Sequence, residues 1–94
     1  MRPLGATERE LRIVNEKGLH ARASARFVEV VEAFDASAEV ARDGMTVSGD
    51  SIMGLLMLAA SRGTSIEVRT SGAQAEELAE ALERLVADRF GEAF

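Results

Sequence analysis

The feature that most constrains this fold is the alternation of two hydrophobic spacings along only 94 residues. Apolar residues at every second position are typical of a strand with one buried face, whereas a spacing of three to four is typical of an amphipathic helix. Strand-like runs cover residues 10–15, 36–40, 45–48 and 65–70, and helix-like runs cover residues 21–34, 52–60 and 75–86. This order predicts an α+β fold of the form β-α-β-β-α-β-α.

The turn signals indicate how these elements are arranged. Asp43-Gly44 separates two short alternating runs and predicts a β-hairpin, because both residue types tolerate the positive φ of a tight turn. Elements with one apolar side are buried most simply in two layers, as an antiparallel sheet with the helices on one face. The length suits a single domain over residues 1–94, with residues 1–8 as a flexible leader.

Composition and charge exclude several classes of function. The formal net charge of −5 argues against nucleic-acid binding, which needs a cationic face, and gives no attraction to an anionic membrane surface. Without cysteine there is no thiolate chemistry, and a single histidine cannot form a histidine-rich metal site. No segment has the length of a signal peptide's apolar run or of a membrane span, so we expect a cytoplasmic protein without a metal or cofactor.

The only histidine, His20, stands directly before the first helix-like run. The first free N–H groups of that helix, near Ala21 and Arg22, can point at an anion beside the ring, and the Arg22 guanidinium can reach the same anion. A neutral imidazole can also use a ring nitrogen as a nucleophile. These residues therefore form a candidate phosphate-accepting site.

Other interpretations of His20 stay open from these residues alone. The ring could simply cap the helix or lie on the surface, since a single histidine without a partner is weak evidence of catalysis. A nucleophilic pair with Ser24, one turn further along, is conceivable, as is a general-base role. No acidic residue is obviously placed in the sequence to orient the imidazole.

The second candidate site begins at Ser51. Ser51 or Asp50 can cap the helix predicted over residues 52–60, which Arg62-Gly63 would end. A phosphate on Ser51 would lie at a helix start, where its charge is tolerated. The helix is apolar nearly all round, but a two-layer fold buries one side and leaves the other for a partner, a loop or a second copy. The candidates for this exposed surface are Ile52, Met53, Leu55 and Leu56.

Several motifs in register resemble the histidine-containing phosphocarrier family HPr of the phosphoenolpyruvate-dependent phosphotransferase system. They are GLHAR at residues 18–22, Phe27-Val28, Asp43-Gly44 and SIMGL at residues 51–55. The resemblance extends from about residue 10 to residue 86. The interval between His20 and Ser51 is similar to the family's interval between its phosphohistidine and its regulatory serine. Two motifs in register are more specific than either alone.

The resemblance implies a four-stranded antiparallel sheet with three helices, and a carrier function rather than an enzyme. Enzyme I would pass a phosphoryl group to Nδ1 of His20, beside Arg22, and an EIIA-type protein would accept it. The resemblance also implies that an HPr kinase/phosphorylase modifies Ser51, and that partners dock on Ile52, Met53 and Leu56. The open alternative is a regulatory docking module that is controlled through Ser51 without carrier activity.

The exact residues of the motifs indicate a subtype of the family and two departures from its usual pattern. HARAS and GDSIMGL are similar to proteobacterial carriers of nitrogen-related regulatory phosphorelays, as opposed to the main carrier of sugar transport. Ala23 stands where the family commonly has proline, which restores an N–H at the helix start and frees φ. Asp50 precedes Ser51 where the family often has a basic or neutral residue, and its carboxylate would repel a phosphoserine.

Overall fold

A computed structural model describes residues 5–94, which form one four-stranded sheet and three α-helices. In chain order the elements are strand β1 (Ala6–Arg12), helix α1 (Ala21–Glu32), strands β2 (Ser37–Arg42) and β3 (Met45–Ser48), helix α2 (Ile52–Met57), strand β4 (Ser65–Ser71) and helix α3 (Ala75–Ala87), followed by a 3-10 turn at Arg89–Gly91. The sheet order is β1-β4-β2-β3, and all neighbouring strands are antiparallel. The predicted α+β order is confirmed.

The core lies between the sheet and the three helices. In β4, Ile66 and Val68 are buried as predicted, because alternate residues of a strand point to the same side of the sheet. Phe27 of α1, Leu55 of α2 and Leu82 of α3 are fully buried in the same cluster. Across residues 5–94, no helix is both long enough and apolar enough to cross a bilayer.

The first strand begins earlier than the sequence predicts. Residues 6–8, assigned to the leader, instead pair with β4, with Ala6 opposite Ser71 and Glu8 opposite Arg69. Backbone hydrogen bonds of an edge strand do not require apolar side chains, so the hydrophobic pattern does not reveal this part of β1. The strand also ends at Arg12 rather than at residue 15. Residues 1–4 of the predicted leader lie outside the described residues.

Several further boundaries differ from the prediction, including the end of α1, which is Glu32 rather than residue 34. Helix α2 ends at Met57 rather than at residue 60, because Ala59 takes a left-handed conformation with φ of 50°. Leu58 and Ala60 are nevertheless buried, so the apolar run continues into a packed loop that sequence patterning cannot distinguish from helix. Strand β2 covers Ser37–Arg42 rather than residues 36–40.

Gly18 directs the chain into α1. Its φ is +67°, and a Cβ there would lie 2.6 Å from the Ala60 carbonyl oxygen and 3.0 Å from Ser61 Cα. The next residue, Leu19, donates its N–H to the same Ala60 carbonyl at 2.9 Å. Only glycine combines this conformation with so close an approach. The loop before α1 is thereby held against the segment that follows α2, and this contact sets the position of His20.

Replacement of Gly18 by alanine should destabilise the protein more than replacement of Gly44. Both glycines have positive φ, +67° and +82°, but an added Cβ at Gly44 meets no atom within 4 Å. The difference between the two losses in free energy of unfolding therefore isolates the contact with Ala60, and should be about 1–3 kcal/mol. Urea unfolding of Gly18→Ala and Gly44→Ala measures it. Equal losses would show that the close approach is unimportant.

Candidate functional site

His20 is the N-cap residue of α1. Its backbone is extended, its carbonyl accepts the Ser24 N–H at 2.8 Å, and its Nδ1 accepts the Arg22 N–H at 3.3 Å. The side chain is 28% exposed. The interpretation of His20 as a helix cap is therefore correct, but it does not compete with a reactive role because the ring stays open to solvent.

The other ring nitrogen contacts a carboxylate that sequence reasoning missed. Nε2 of His20 is hydrogen-bonded to Oε2 of Glu92. The other carboxylate oxygen of Glu92 accepts a hydrogen bond from Asn15 Nδ2 at 3.0 Å, and the same Nδ2 donates to the Gly18 carbonyl at 2.8 Å. The expectation that no acidic residue orients the imidazole is therefore wrong. Glu92 lies 72 positions from His20, and no local pattern distinguishes it from the other acidic residues.

These two contacts define the tautomer of His20. A neutral imidazole has one donor nitrogen and one acceptor nitrogen. The Arg22 N–H can only donate, and an ionised carboxylate can only accept. The proton therefore lies on Nε2, toward Glu92, and the lone pair lies on Nδ1, toward the start of α1.

The surroundings of Glu92 keep its carboxyl ionised. Burial raises the pKa of Glu92, but hydrogen bonds with Asn15 and His20 and the charges of His20 and Lys17 outweigh this effect and lower the pKa below its ordinary value of 4.5. The side chain is only 18% exposed. Glu92 is thus available as a hydrogen-bond acceptor throughout the neutral pH range.

The closing segment, residues 89–94, holds Glu92 in place. Arg89 and Phe90 have φ of 56° and 54°, and Gly91 follows with φ of 80°. A left-handed conformation costs a non-glycine residue about 1–3 kcal/mol, and Phe90 sustains it while fully buried in the core. The Phe94 carbonyl accepts the N–H of Glu16 at 3.0 Å. The burial of Phe90 and the hydrogen bond between Glu16 and Phe94 together hold the closing segment against the loop before His20.

An open pocket beside His20 is lined by three cationic side chains, Lys17, Arg22 and Arg26. From residue 5 onward, none of the three forms an ion pair, and the first turn of α1 contains no acidic residue. Two carboxylates, Glu16 and Glu92, also line the pocket, and the oxygens of Glu92 are bonded to Asn15 and His20. Cationic side chains next to a helix start favour an anion with several oxygens. The pocket can therefore receive a phosphoryl group.

The proposed pairing of Ser24 with His20 is wrong. Ser24 is fully buried, and its hydroxyl donates to the Leu19 carbonyl at 3.5 Å. In the part of the chain that the structure describes, no group of three or more histidine, aspartate or glutamate side chains is placed to hold a metal ion.

Ser51 caps α2, as the sequence predicts. Its Oγ accepts the Gly54 N–H at 3.0 Å. Asp50, the other candidate cap, instead accepts a hydrogen bond from the Ser48 hydroxyl at 2.6 Å. Helices α1 and α2 pack against each other, but among residues 5–94 no hydrogen bond or ion pair joins Ser51 to His20.

The predicted apolar surface of α2 is exposed in part. Met53 is 70% exposed and Ile52 is 40% exposed, whereas Leu56 is half-buried and Leu55 is fully buried. Met57, at 63% exposed, was missed. It lies one turn after Met53 and therefore on the same side of the helix, a spacing that was available in the sequence.

The chain resembles known proteins in both sequence and structure. A family model described as "PTS HPr component phosphorylation site" matches residues 7–88. Over 85 residues, the chain is 41% identical to phosphocarrier protein HPr of Cupriavidus necator and 44% identical to that of Neisseria meningitidis serogroup A, in each case covering 90% of this chain and 96% of the relative. A crystal structure of HPr from Thermoanaerobacter tengcongensis superimposes with a TM-score of 0.88 at 35% identity, covering 94% of this chain and 99% of that one. The chain belongs to the HPr family of phosphocarrier proteins of the phosphotransferase system.

The lowered pKa of Glu92 predicts a contribution to stability that depends on pH. Because the pKa is lower in the folded protein than in the unfolded chain, the contribution is present above about pH 4.5 and is lost as the pH falls through the folded-state pKa. Glu92→Gln should therefore lower the free energy of unfolding at neutral pH, and its difference from the wild type should shrink in acid.

Urea unfolding at a series of pH values measures this difference. Glu80→Gln is the matched control, because exposed Glu80 loses the same charge but has no side-chain hydrogen bond or ion pair within residues 5–94. A Glu92→Gln difference that does not change with pH would contradict the prediction.

Proposed function

We propose that this phosphocarrier takes a phosphoryl group from phosphorylated Enzyme I on Nδ1 of His20 and passes it to an EIIA-type acceptor. The observation that carries the proposal is the placement of the two ring nitrogens, with the proton on Nε2 and the lone pair on Nδ1. The Nδ1 lone pair faces the Arg22 N–H at the start of α1, and Nε2 is bonded to Glu92 on the other side of the ring. Nδ1 can act as a nucleophile only when it carries a lone pair instead of the ring proton. Membership of the HPr family supports the general role.

The helix start offers the groups that phosphoryl transfer to His20 would use. The Nδ1 lone pair attacks phosphorus in line with the departing group, and the phosphoryl oxygens then become acceptors for the Arg22 N–H. The partial positive charge of the helix start and the guanidinium of Arg22 stabilise the added negative charge. Since the ring is 28% exposed, both donor and acceptor proteins can reach it.

Ala23 is compatible with this site. It occupies the position where the family commonly has proline, yet α1 still begins at Ala21 and Ala23 is fully buried against the core. The fixed φ of proline is therefore not required to start this helix.

We assign partner docking to the exposed side of α2, formed by Ile52, Met53 and Met57, with half-buried Leu56 at its margin. Flexible methionine side chains can adapt to different surfaces, which suits a carrier that meets several partners in succession. Transient partners need only a small interface. The cytoplasmic location and the choice between sugar transport and nitrogen regulation stay predictions.

Loss of His20 should abolish carrier activity. With phosphoenolpyruvate and Enzyme I, the wild type should gain one acid-labile, alkali-stable phosphate, whereas His20→Ala should gain none. Arg22→Ala keeps the acceptor nitrogen but loses a cation, so its labelling rate should fall about tenfold. Equal labelling of His20→Ala would overturn the proposal and favour a regulatory docking module controlled through Ser51.

Modification of Ser51 by an HPr kinase/phosphorylase is the second part of the proposal. A phosphate there adds negative charge next to Ile52 and Met53, and charge at an apolar docking surface disfavours association. It can also accept the Gly54 N–H that Ser51 Oγ now accepts, so α2 would stay capped.

Two substitutions separate charge from helix capping. Aspartate and asparagine are both good N-caps and differ in charge. Ser51→Asp should slow phosphorylation of His20 by Enzyme I about tenfold, the loss expected for a desolvated charge at an interface, while Ser51→Asn should remain close to the wild type. Equal rates for the two variants would contradict a regulatory effect of charge.

A further inference from the structure

The contact between Glu92 and His20 is built by several independent parts of the fold. Phe90 is fully buried in a left-handed conformation two residues before Glu92, and the Phe94 carbonyl is bonded to the N–H of Glu16. Asn15 is also fully buried and holds the second oxygen of Glu92. Such support on the side of the ring opposite Nδ1 is more than helix capping requires.

We propose that Glu92 is a positioning residue for phosphoryl transfer. It holds the proton of His20 on Nε2, so that Nδ1 keeps its lone pair, and it stabilises the positive charge of the ring once Nδ1 has bonded to phosphorus. This inference rests on the proposed phosphocarrier function and deepens it.

The transfer step balances without any movement of this proton. The Nδ1 lone pair forms the N–P bond, while the bond between phosphorus and the donor's leaving atom breaks and its electron pair stays with the donor. The ring of His20 then carries a positive charge, which the adjacent carboxylate of Glu92 offsets. In onward transfer the N–P electron pair returns to Nδ1, and the ring leaves as neutral imidazole because Nε2 has kept its proton.

Asn15 determines which of the two carboxylate oxygens of Glu92 is left to accept a hydrogen bond from His20. Its Nδ2 donates to both the Gly18 carbonyl and Oε1 of Glu92, and its buried Oδ1 has no partner within residues 5–94. Rotation of this amide by half a turn would place its oxygen against two acceptors, so the orientation is fixed. One oxygen of Glu92 is therefore committed to Asn15, and the other is left for Nε2 of His20.

Glu92→Gln tests this arrangement because a carboxamide has only one acceptor oxygen. If that oxygen faces Asn15, the amide NH₂ faces Nε2 and favours the tautomer of His20 with its proton on Nδ1, where it blocks the nucleophile. If the oxygen faces Nε2 instead, the NH₂ meets the Nδ2 donor of Asn15. The single acceptor cannot satisfy both neighbours.

The experiment measures the tautomer and the transfer rate separately. Long-range proton–nitrogen NMR spectra of the unphosphorylated, ¹⁵N-histidine-labelled protein, recorded at alkaline pH, report which nitrogen bears the proton. Labelling with phosphoenolpyruvate and Enzyme I gives the rate. In Glu92→Gln the Nδ1–H tautomer should increase, and the rate should fall about 10- to 100-fold, the equivalent of one hydrogen bond to a charged group.

Controls separate positioning from folding and from total charge. Glu80→Gln should match the wild type in both measurements, and Glu92→Asp, which keeps a carboxylate on a shorter side chain, should recover part of the rate. An unchanged tautomer in Glu92→Gln overturns the proposal, as does a changed tautomer with an unchanged rate. If the wild type is not labelled at all, the phosphocarrier function of His20 fails instead, and the NMR spectra still report whether Glu92 orients the ring.

Discussion

The hydrogen bond between Nε2 of His20 and Glu92 is the contact that orients the imidazole at the start of α1. It leaves Nδ1 as the acceptor nitrogen and directs that atom to the start of α1, where the Arg22 N–H donates to it. The contact exists because two distant segments are packed side by side. Gly18 allows the loop before α1 to approach the segment after α2, and buried Phe90 fixes the closing segment beside that loop. A change in either segment should therefore alter the orientation of the His20 ring.

Most of the fold could be predicted from local patterns. Alternation in β4, the Asp43-Gly44 hairpin and the apolar faces of α1 and α3 each correspond to an element of the structure. The errors lie where backbone contacts rather than side-chain polarity decide the structure. Residues 6–8 pair with β4 without an apolar pattern, and Ala59 ends α2 within an apolar run because of its left-handed φ.

Only the part of the candidate site that is formed by residues close together in the sequence could be predicted. His20 and Arg22 lie within one turn at the start of α1, and Ser51 lies within one turn of the Gly54 N–H that it caps. Sequence spacing was therefore sufficient to predict each of these two helix starts. Glu92 reaches the ring through tertiary packing, because it lies 72 positions from His20 and 77 from Asn15, the two residues to which its carboxylate is bonded. A Phe-Gly pair at 90–91 is the one local sign of a buried anchor followed by a turn.

The most direct measurement is the position of the phosphoryl group on the imidazole. The protein is labelled with ¹⁵N in its single histidine, phosphorylated with phosphoenolpyruvate and Enzyme I, and examined for coupling between phosphorus and the two ring nitrogens. We predict coupling to Nδ1 of His20, with the proton still on Nε2. A phosphoryl group on Nε2, or on any residue other than His20, would contradict the role assigned to this ring.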